Sequence, residues 1–192
     1  MYVRDAKNRE EVWLLDQIEE MGLDDTAFRS RDYVVAIDEV SNDKAGFGRI
    51  RIHKRDDGDV CELTSVGVLE SWRGQGVGAH VVERLVEYAS DEGFDHVYSL
   101  TSEGGYLAQF GFRRIDVEGL PEPLANRLEA KREGIDPEAV PLRVDVDRFT
   151  VPDRLREAFK GAHRRDEDDE ETTPEEFGID PETATYKYDT GS

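Results

Sequence analysis

Cysteine is nearly absent: the 192-residue chain carries one, Cys61. A single thiol excludes an intrachain disulfide and fits a reducing interior. Lysine is scarce too, found only at positions 7, 44, 54, 131, 160 and 187. Bases are outnumbered, 25 against 45 acids, leaving a formal charge of −20. That excess of carboxylates repels phosphate, so neither nucleic acid nor an anionic membrane surface is an expected partner. Long apolar runs are missing, and none approaches membrane-spanning length. Met1-Tyr2-Val3-Arg4-Asp5 does not open a signal peptide, which makes the cytoplasm the expected compartment. His53, His96 and His163 show no metal-ligand spacing with one another or with Cys61, so no metal is expected.

What is present suffices for one domain with a core and an appendage: 37% of residues are hydrophobic and 36% charged. The informative stretch runs from Val66 to His80. An apolar, β-branched strand enters a turn, and the glycine-spaced loop Arg73-Gly74-Gln75-Gly76-Val77-Gly78 then opens a helix. Val77, Val81, Val82, Leu85, Val86 and Ala89 repeat at helical spacing, with Glu83, Arg84 and Glu87 on the wet side. Glycines let the backbone approach closely, and the first free N–H groups of the helix attract an anion.

Three phosphate-binding patterns compete for this loop. A Walker loop requires Gly-Lys-Ser/Thr where the chain has Gly78-Ala79-His80. Gly74, Gly76 and Ala79 satisfy the loose dinucleotide pattern, but Tyr98-Ser99-Leu100-Thr101-Ser102 lacks its acidic residue. The third pattern, Arg73-x-x-Gly76-x-Gly78, resembles the acetyl-CoA motif of the GNAT superfamily of N-acetyltransferases, (Gln/Arg)-x-x-Gly-x-(Gly/Ala).

The surrounding order of elements is similar to that family as well. Tyr2–Arg4 reads as a strand, Asn8–Met21 as a helix carrying Val12, Leu14, Leu15 and Ile18, and Tyr33–Ile37 as a strand. Gly46–His53 and Val60–Val68 continue a meander through the turn at Arg55–Asp59. After the central helix come a strand over Phe94–Leu100, a short helix over Tyr106–Phe110 and a strand over Phe112–Ile115. The resemblance covers residues 1–117, including Gln109-Phe110-Gly111-Phe112. It implies an α+β GNAT fold, a mixed sheet of about six to seven strands flanked by helices.

Residues 118–163 read as a helix and strand extension, and 164–192 as an acidic linker with a strand-like tail. Gly134-Ile135-Asp136-Pro137-Glu138 returns as Gly178-Ile179-Asp180-Pro181-Glu182. In each copy aspartate is placed to cap a short helical turn ahead of a strand-like run, Leu142–Val146 or Thr185–Tyr188. These runs suit pairing with a sheet edge or with a second subunit in a homodimer. Asp153–Phe159 reads as a short helix.

The resemblance implies acetyl-CoA as co-substrate and an amine, small-molecule or peptide, as acceptor. Backbone N–H groups of Gly74, Gln75, Gly76, Val77 and Gly78 would cradle the pyrophosphate beside Arg73. The backbone of Val66 and Val68 would hold the pantetheine arm, and the Val68 N–H the oxyanion. Glu62 stands eleven residues before Arg73, where the family keeps a glutamate base. Strand alternation puts it on one face with Thr64, Val66 and Val68, and burial would raise its pKa toward a base's range. The alternative is an ordinary strand glutamate.

The family's usual tyrosine acid falls at Leu107, with Tyr106 one residue earlier. Either Tyr106 protonates the leaving thiolate or a water does. His80 reads as a polar surface residue, Cys61 and Trp13 as core, and Trp72 as a lid beside the loop. Acids at Asp24 and Asp25 on the rim favour a cationic amine. Two other classes remain open: a non-catalytic acyl-CoA sensor that keeps the loop without the base, and a Rossmann nucleotide module. Against the latter stands the meander that precedes the loop.

Scattered acids with little lysine are also typical of proteins from salt-loving cells, where solvated carboxylates keep a surface soluble. Added salt screens the self-repulsion of such a surface. Scanning calorimetry between about 0.05 and about 2 M KCl should show Tm rising by roughly 5 °C or more. A flat or falling Tm would show that the carboxylate excess carries no folding penalty.

Overall fold

Peptide groups buried between helices need partners, and here a seven-stranded sheet supplies them. The computed structural model describes residues 1–165. The strands are β1 (Tyr2–Asp5), β2 (Tyr33–Ile37), β3 (Lys44–His53), β4 (Val60–Val68), β5 (His96–Thr101), β6 (Arg113–Arg114) and β7 (Val140–Asp145). Their spatial order is β1-β2-β3-β4-β5-β7-β6. All neighbours are antiparallel except β4 and β5, which are parallel and pair in register at Glu62 and Tyr98. The helices are α1 (Glu11–Glu20), α2 (Val77–Asp91), α3 (Gly104–Ala108), α4 (Glu122–Glu133) and α5 (Asp153–Lys160).

Strand alternation sorts the core into two faces. Val34 and Ala36 of β2 join Cys61 and Leu63 of β4 under α2, whose Val81, Val82, Leu85 and Ala89 are wholly or almost wholly buried. Tyr33, Val35 and Ile37 turn the other way, toward Leu14 and Ile18 of α1. Further along that face, Val60 and Leu100 receive Leu124 and Leu128 of α4. Only Leu14 and Ile18 of α1 are buried, whereas Val12 is 70% exposed and Leu15 lies at the surface. The helix also starts later than the apolar pattern suggested, after a 3-10 turn at Asn8–Glu10.

The compact unit extends past residue 117, over Met1–Ala162. The reason is β7, which pairs with β5 over six residues and separates it from β6. Backbone hydrogen bonding along a whole strand cannot be an appendage's. Asp136, expected to cap a helical turn, instead accepts the Ser102 N–H through Oδ2 at 2.9 Å in a plain turn. The second copy at Gly178 and the strand-like run at Thr185 lie outside the described residues.

If α4 belongs to the common core, trimming it must weaken the whole unit. Leu128→Ala should cost about 2–5 kcal/mol, since a fully packed leucine leaves a cavity. A single calorimetric transition shifted down by roughly 5 °C or more checks this; an unchanged main transition would make α4 an appendage.

Candidate active site

A break in β4 builds the site. The β3–β4 register shifts between Phe47/Gly67 and Arg49/Thr64, and Ser65 sits at φ 53°, a left-handed conformation costly for a residue with a side chain. Its hydroxyl offsets the cost by donating to the Asp24 carbonyl at 2.5 Å. The bulge reverses alternation. Glu62 and Thr64 face α4, while Val66 and Val68 pack toward α2, so the expectation that all four share a face fails after Thr64.

Beyond Glu62 and Tyr98, β4 borders two adjoining clefts, and β5 borders the smaller of them. The larger, of about 1060 Å³, is lined by Val66–Gly74, Gly76–Gly78, Tyr106 and Arg154, among others. The smaller, of about 380 Å³, runs over Leu63–Val66 and Ser99–Glu103 to Asp24 and Lys131. Met21, Val66, Glu103 and Tyr106 line both.

At the head of the larger cleft, Gly76 is the N-cap of α2 at φ 78°, and no side chain caps the helix. Its first N–H groups therefore face an acceptor from elsewhere. Gly74 is left-handed as well, at φ 74°, making the loop a concave run of amides suited to an anion. Leu69 donates its N–H to Ala45 at 2.9 Å, so alternation turns the N–H and C=O of Val68 to the opposite edge, toward the clefts. There the Val68 carbonyl accepts Arg73 Nε at 3.1 Å. Gln75 is buried and does not line the cleft.

Tyr106 lines both clefts although its helical position differs from the expected one, while Leu107 is only 5% exposed and belongs to the core. The Tyr106 hydroxyl lies over Gly78 so closely that a Cβ there would meet it at 2.5 Å. Burial pushes its pKa up to about 12.

Glu62 behaves unlike the base expected of it. It is fully buried, absent from both cleft walls, and gripped by Arg127 of α4 through Nε at 2.7 Å and Nη2 at 3.0 Å. His53 Nε2 lies 2.9 Å from Oε1, the oxygen that also accepts Arg127 Nε. Burial alone would raise its pKa; the bonds to His53 and Arg127 override that and hold it at about 2. Arg127 also bonds Asp24, so this rim acid is already neutralised and offers no free charge to a cationic amine. Arg49 completes the frame, donating to the carbonyls of Thr26 and Ala27 at 2.8 and 2.6 Å.

Residues from the C-terminal region reach the site in ways spacing could not reveal. The backbone of α5 lies on the glycine loop, with the Leu155 carbonyl where a Gly76 Cβ would stand. Arg156 pairs with Glu83 at 2.5 Å, and Phe159 stacks on His80 at 3.7 Å, so His80 is a half-buried clamp and not a surface residue. Arg154 joins the cleft wall and donates to Gln109 at 2.6 Å. Cys61 is buried, its thiol pushed up to about 12; Trp72 is core, and Trp13 stacks edge-on to Phe47. Among the described residues, no cluster of His, Cys, Asp or Glu is arranged to hold a metal.

The family model described as Acetyltransferase (GNAT) family matches residues 2–112, more than half of the chain. The chain belongs to the GNAT family. An uncharacterized N-acetyltransferase of Chlorobaculum tepidum is 32% identical over 65 residues, 34% of this chain and 42% of that protein. An amino-acid acetyltransferase of Mycobacterium tuberculosis is 35% identical over 63 residues, 33% of this chain and 35% of that protein. The matches thus span less than half the length of these GNAT relatives. In fold, the chain is similar to Rv2747 from Mycobacterium tuberculosis, crystallised in complex with CoA, at a TM-score of 0.61 and 17% identity over 76% of this chain and 99% of that one.

The Glu62–Arg127–Asp24 group makes stability pH-dependent. A carboxylate held near 2 against an ordinary 4.5 contributes stability above about pH 4.5, which is lost as pH falls toward 2. Glu62→Gln should cost about 3 kcal/mol at neutral pH, because Arg127 keeps its buried charge with one partner fewer. It should also flatten the acid limb of stability measured by urea unfolding from pH 7 to pH 3; an unchanged limb would place the acid sensitivity elsewhere.

Proposed function

We propose that the chain is an N-acetyltransferase that moves the acetyl group of acetyl-CoA directly to a primary amine. One observation carries this reading: a cleft headed by an uncapped helix and a concave glycine loop meets a second cleft where β4 leaves β5. The diphosphate of the coenzyme would bind the amides of Gly74–Gly78 beside Arg73, with Arg154, next to Leu155 on the loop, adding charge. The pantetheine arm would lie against the exposed edge of Val66 and Val68, bringing the thioester to the junction at Val66 and Tyr106. An amine in the smaller cleft attacks the thioester carbonyl there. The Val68 N–H stabilises the oxyanion, and collapse of the tetrahedral intermediate expels the thiolate.

Direct transfer is favoured because the chain's one cysteine is buried with its thiol near 12, far from thiolate character. Tyr106 stays protonated at neutral pH and lines both clefts at their junction, which suits its hydroxyl to return a proton to the thiolate there. For Glu62 we propose a positioning role: at a pKa of about 2 it holds Arg127, and water takes the amine's proton.

Steady-state thiol release with acetyl-CoA and a panel of amines tests the reading; coenzyme binding without turnover on any amine would leave an acyl-CoA sensor. Tyr106→Phe should lower kcat by about 10²-fold while KM for acetyl-CoA stays within about threefold. An unchanged kcat would assign thiolate protonation to water.

A further inference from the structure

The smaller cleft contains a cation that the transfer chemistry does not use. Lys131, one helical turn beyond Arg127 on α4, is 9% exposed yet lines the cleft wall. Its Nζ donates to the Leu100 carbonyl at 2.8 Å and reaches Thr64 Oγ1 at a long 3.4 Å. An ammonium has three protons to place, so at least one has no strong acceptor.

Among the described residues Lys131 makes no ion pair, whereas Arg127 beside it makes two. The carboxylates deepest in the site, Glu62 and Asp24, are both taken by Arg127. Arg51, opposite Glu62 on β3, adds a further positive charge without an ion pair, and its Nη1 is buried with no hydrogen-bond partner. Arg127, Lys131 and Arg51 thus stand around the buried pair Glu62 and Asp24, with Asp136 the third carboxylate acting on Lys131. Asp136, the next acid around Lys131, already accepts the Ser102 N–H. A buried ammonium without a counter-ion is costly unless a ligand brings one.

The position of Lys131 fixes where that ligand's charge lies. Thr64, beside Nζ, is two residues from Val66, where the smaller cleft opens into the larger. Two residues of strand span about 7 Å, and the bulge at Ser65 shortens that path. The amine and carboxylate of one small molecule fit such a separation, and a cavity of about 380 Å³ admits a free amino acid. We propose that the acceptor is an amino acid, its amine presented at the Val66–Tyr106 junction and its carboxylate held by Lys131. This deepens the transferase reading and rests on it.

The test compares matched acceptors on the full chain with acetyl-CoA: free L-amino acids, their carboxamides and the corresponding decarboxylated amines. Thiol release should favour the free acids by about 10²-fold or more in kcat/KM, the scale of a charge-assisted pair lost in a buried site. Lys131→Met should raise KM for the acid about 10²-fold with kcat nearly unchanged, and should leave KM for the carboxamide alone. Lys131→Arg should recover part of the loss. The wild-type acid-to-amide ratio needs no variant, so a Lys131→Met chain that fails to fold leaves the proposal testable.

Carboxamides or simple amines used as well as the acids overturn the carboxylate assignment while leaving transfer intact. A Lys131→Met chain that keeps the wild-type preference also overturns it. Silence on all three acceptor classes with coenzyme still bound overturns the transferase reading, and the acceptor assignment falls with it.

Discussion

The structure depends on the parting of two parallel strands. β4 and β5 pair in register at Glu62 and Tyr98, and past that point Leu63–Val66 and Ser99–Thr101 line the smaller cleft. Peptide groups turned toward a gap need partners, and a pantetheine arm, which alternates donors and acceptors much as a strand does, suits that need. The bulge at Ser65 shapes the gap from one side and is itself held by the Asp24 carbonyl. The loop after α1, the bend in β4 and the cleft are thus one connected arrangement.

Beneath the gap lies an electrostatic frame that runs against the charge of the chain as a whole. Arg127 ties α4 to β4 through Glu62 and to the rim loop through Asp24, while Arg49 fastens the same loop through its carbonyls. A buried ion pair contributes little net stability, but removing one partner strands the other, so such pairs specify geometry. Here the specified geometry is the wall of the smaller cleft, to which α4 also contributes Lys131. Arginine suits the frame because its planar fork reaches two carboxylates at once.

The C-terminal region takes part in both clefts. β7 completes the sheet beside β5, α4 covers the face that holds Glu62, and α5 lies on the glycine loop with Arg154 in the cleft wall. The GNAT match ends at residue 112, yet Lys131, Ile135 and Asp136 line the smaller cleft and Arg154 and Leu155 the larger from beyond it.

The sequence by itself determined the elements whose signals are local. Apolar, β-branched runs gave β2 and β4, alternation gave β3, the 3.6-residue apolar stripe gave α2, and Arg73-x-x-Gly76-x-Gly78 marked the glycine loop that opens it. Only the tertiary structure decided the environment of each side chain. Burial of Glu62 raises its pKa, but His53 and Arg127, nine and 65 residues away, send it to about 2. Tyr106 lines both clefts because α3 is a five-residue helix that opens on Gly104 and Gly105 and is anchored by buried Leu107, not because of its own spacing. The place of β7 between β5 and β6, and of Lys131 in the cleft wall, likewise follows from contacts distant in sequence. Periodicity reports the face of an element that is buried, whereas charge, protonation and reach depend on what is packed against it.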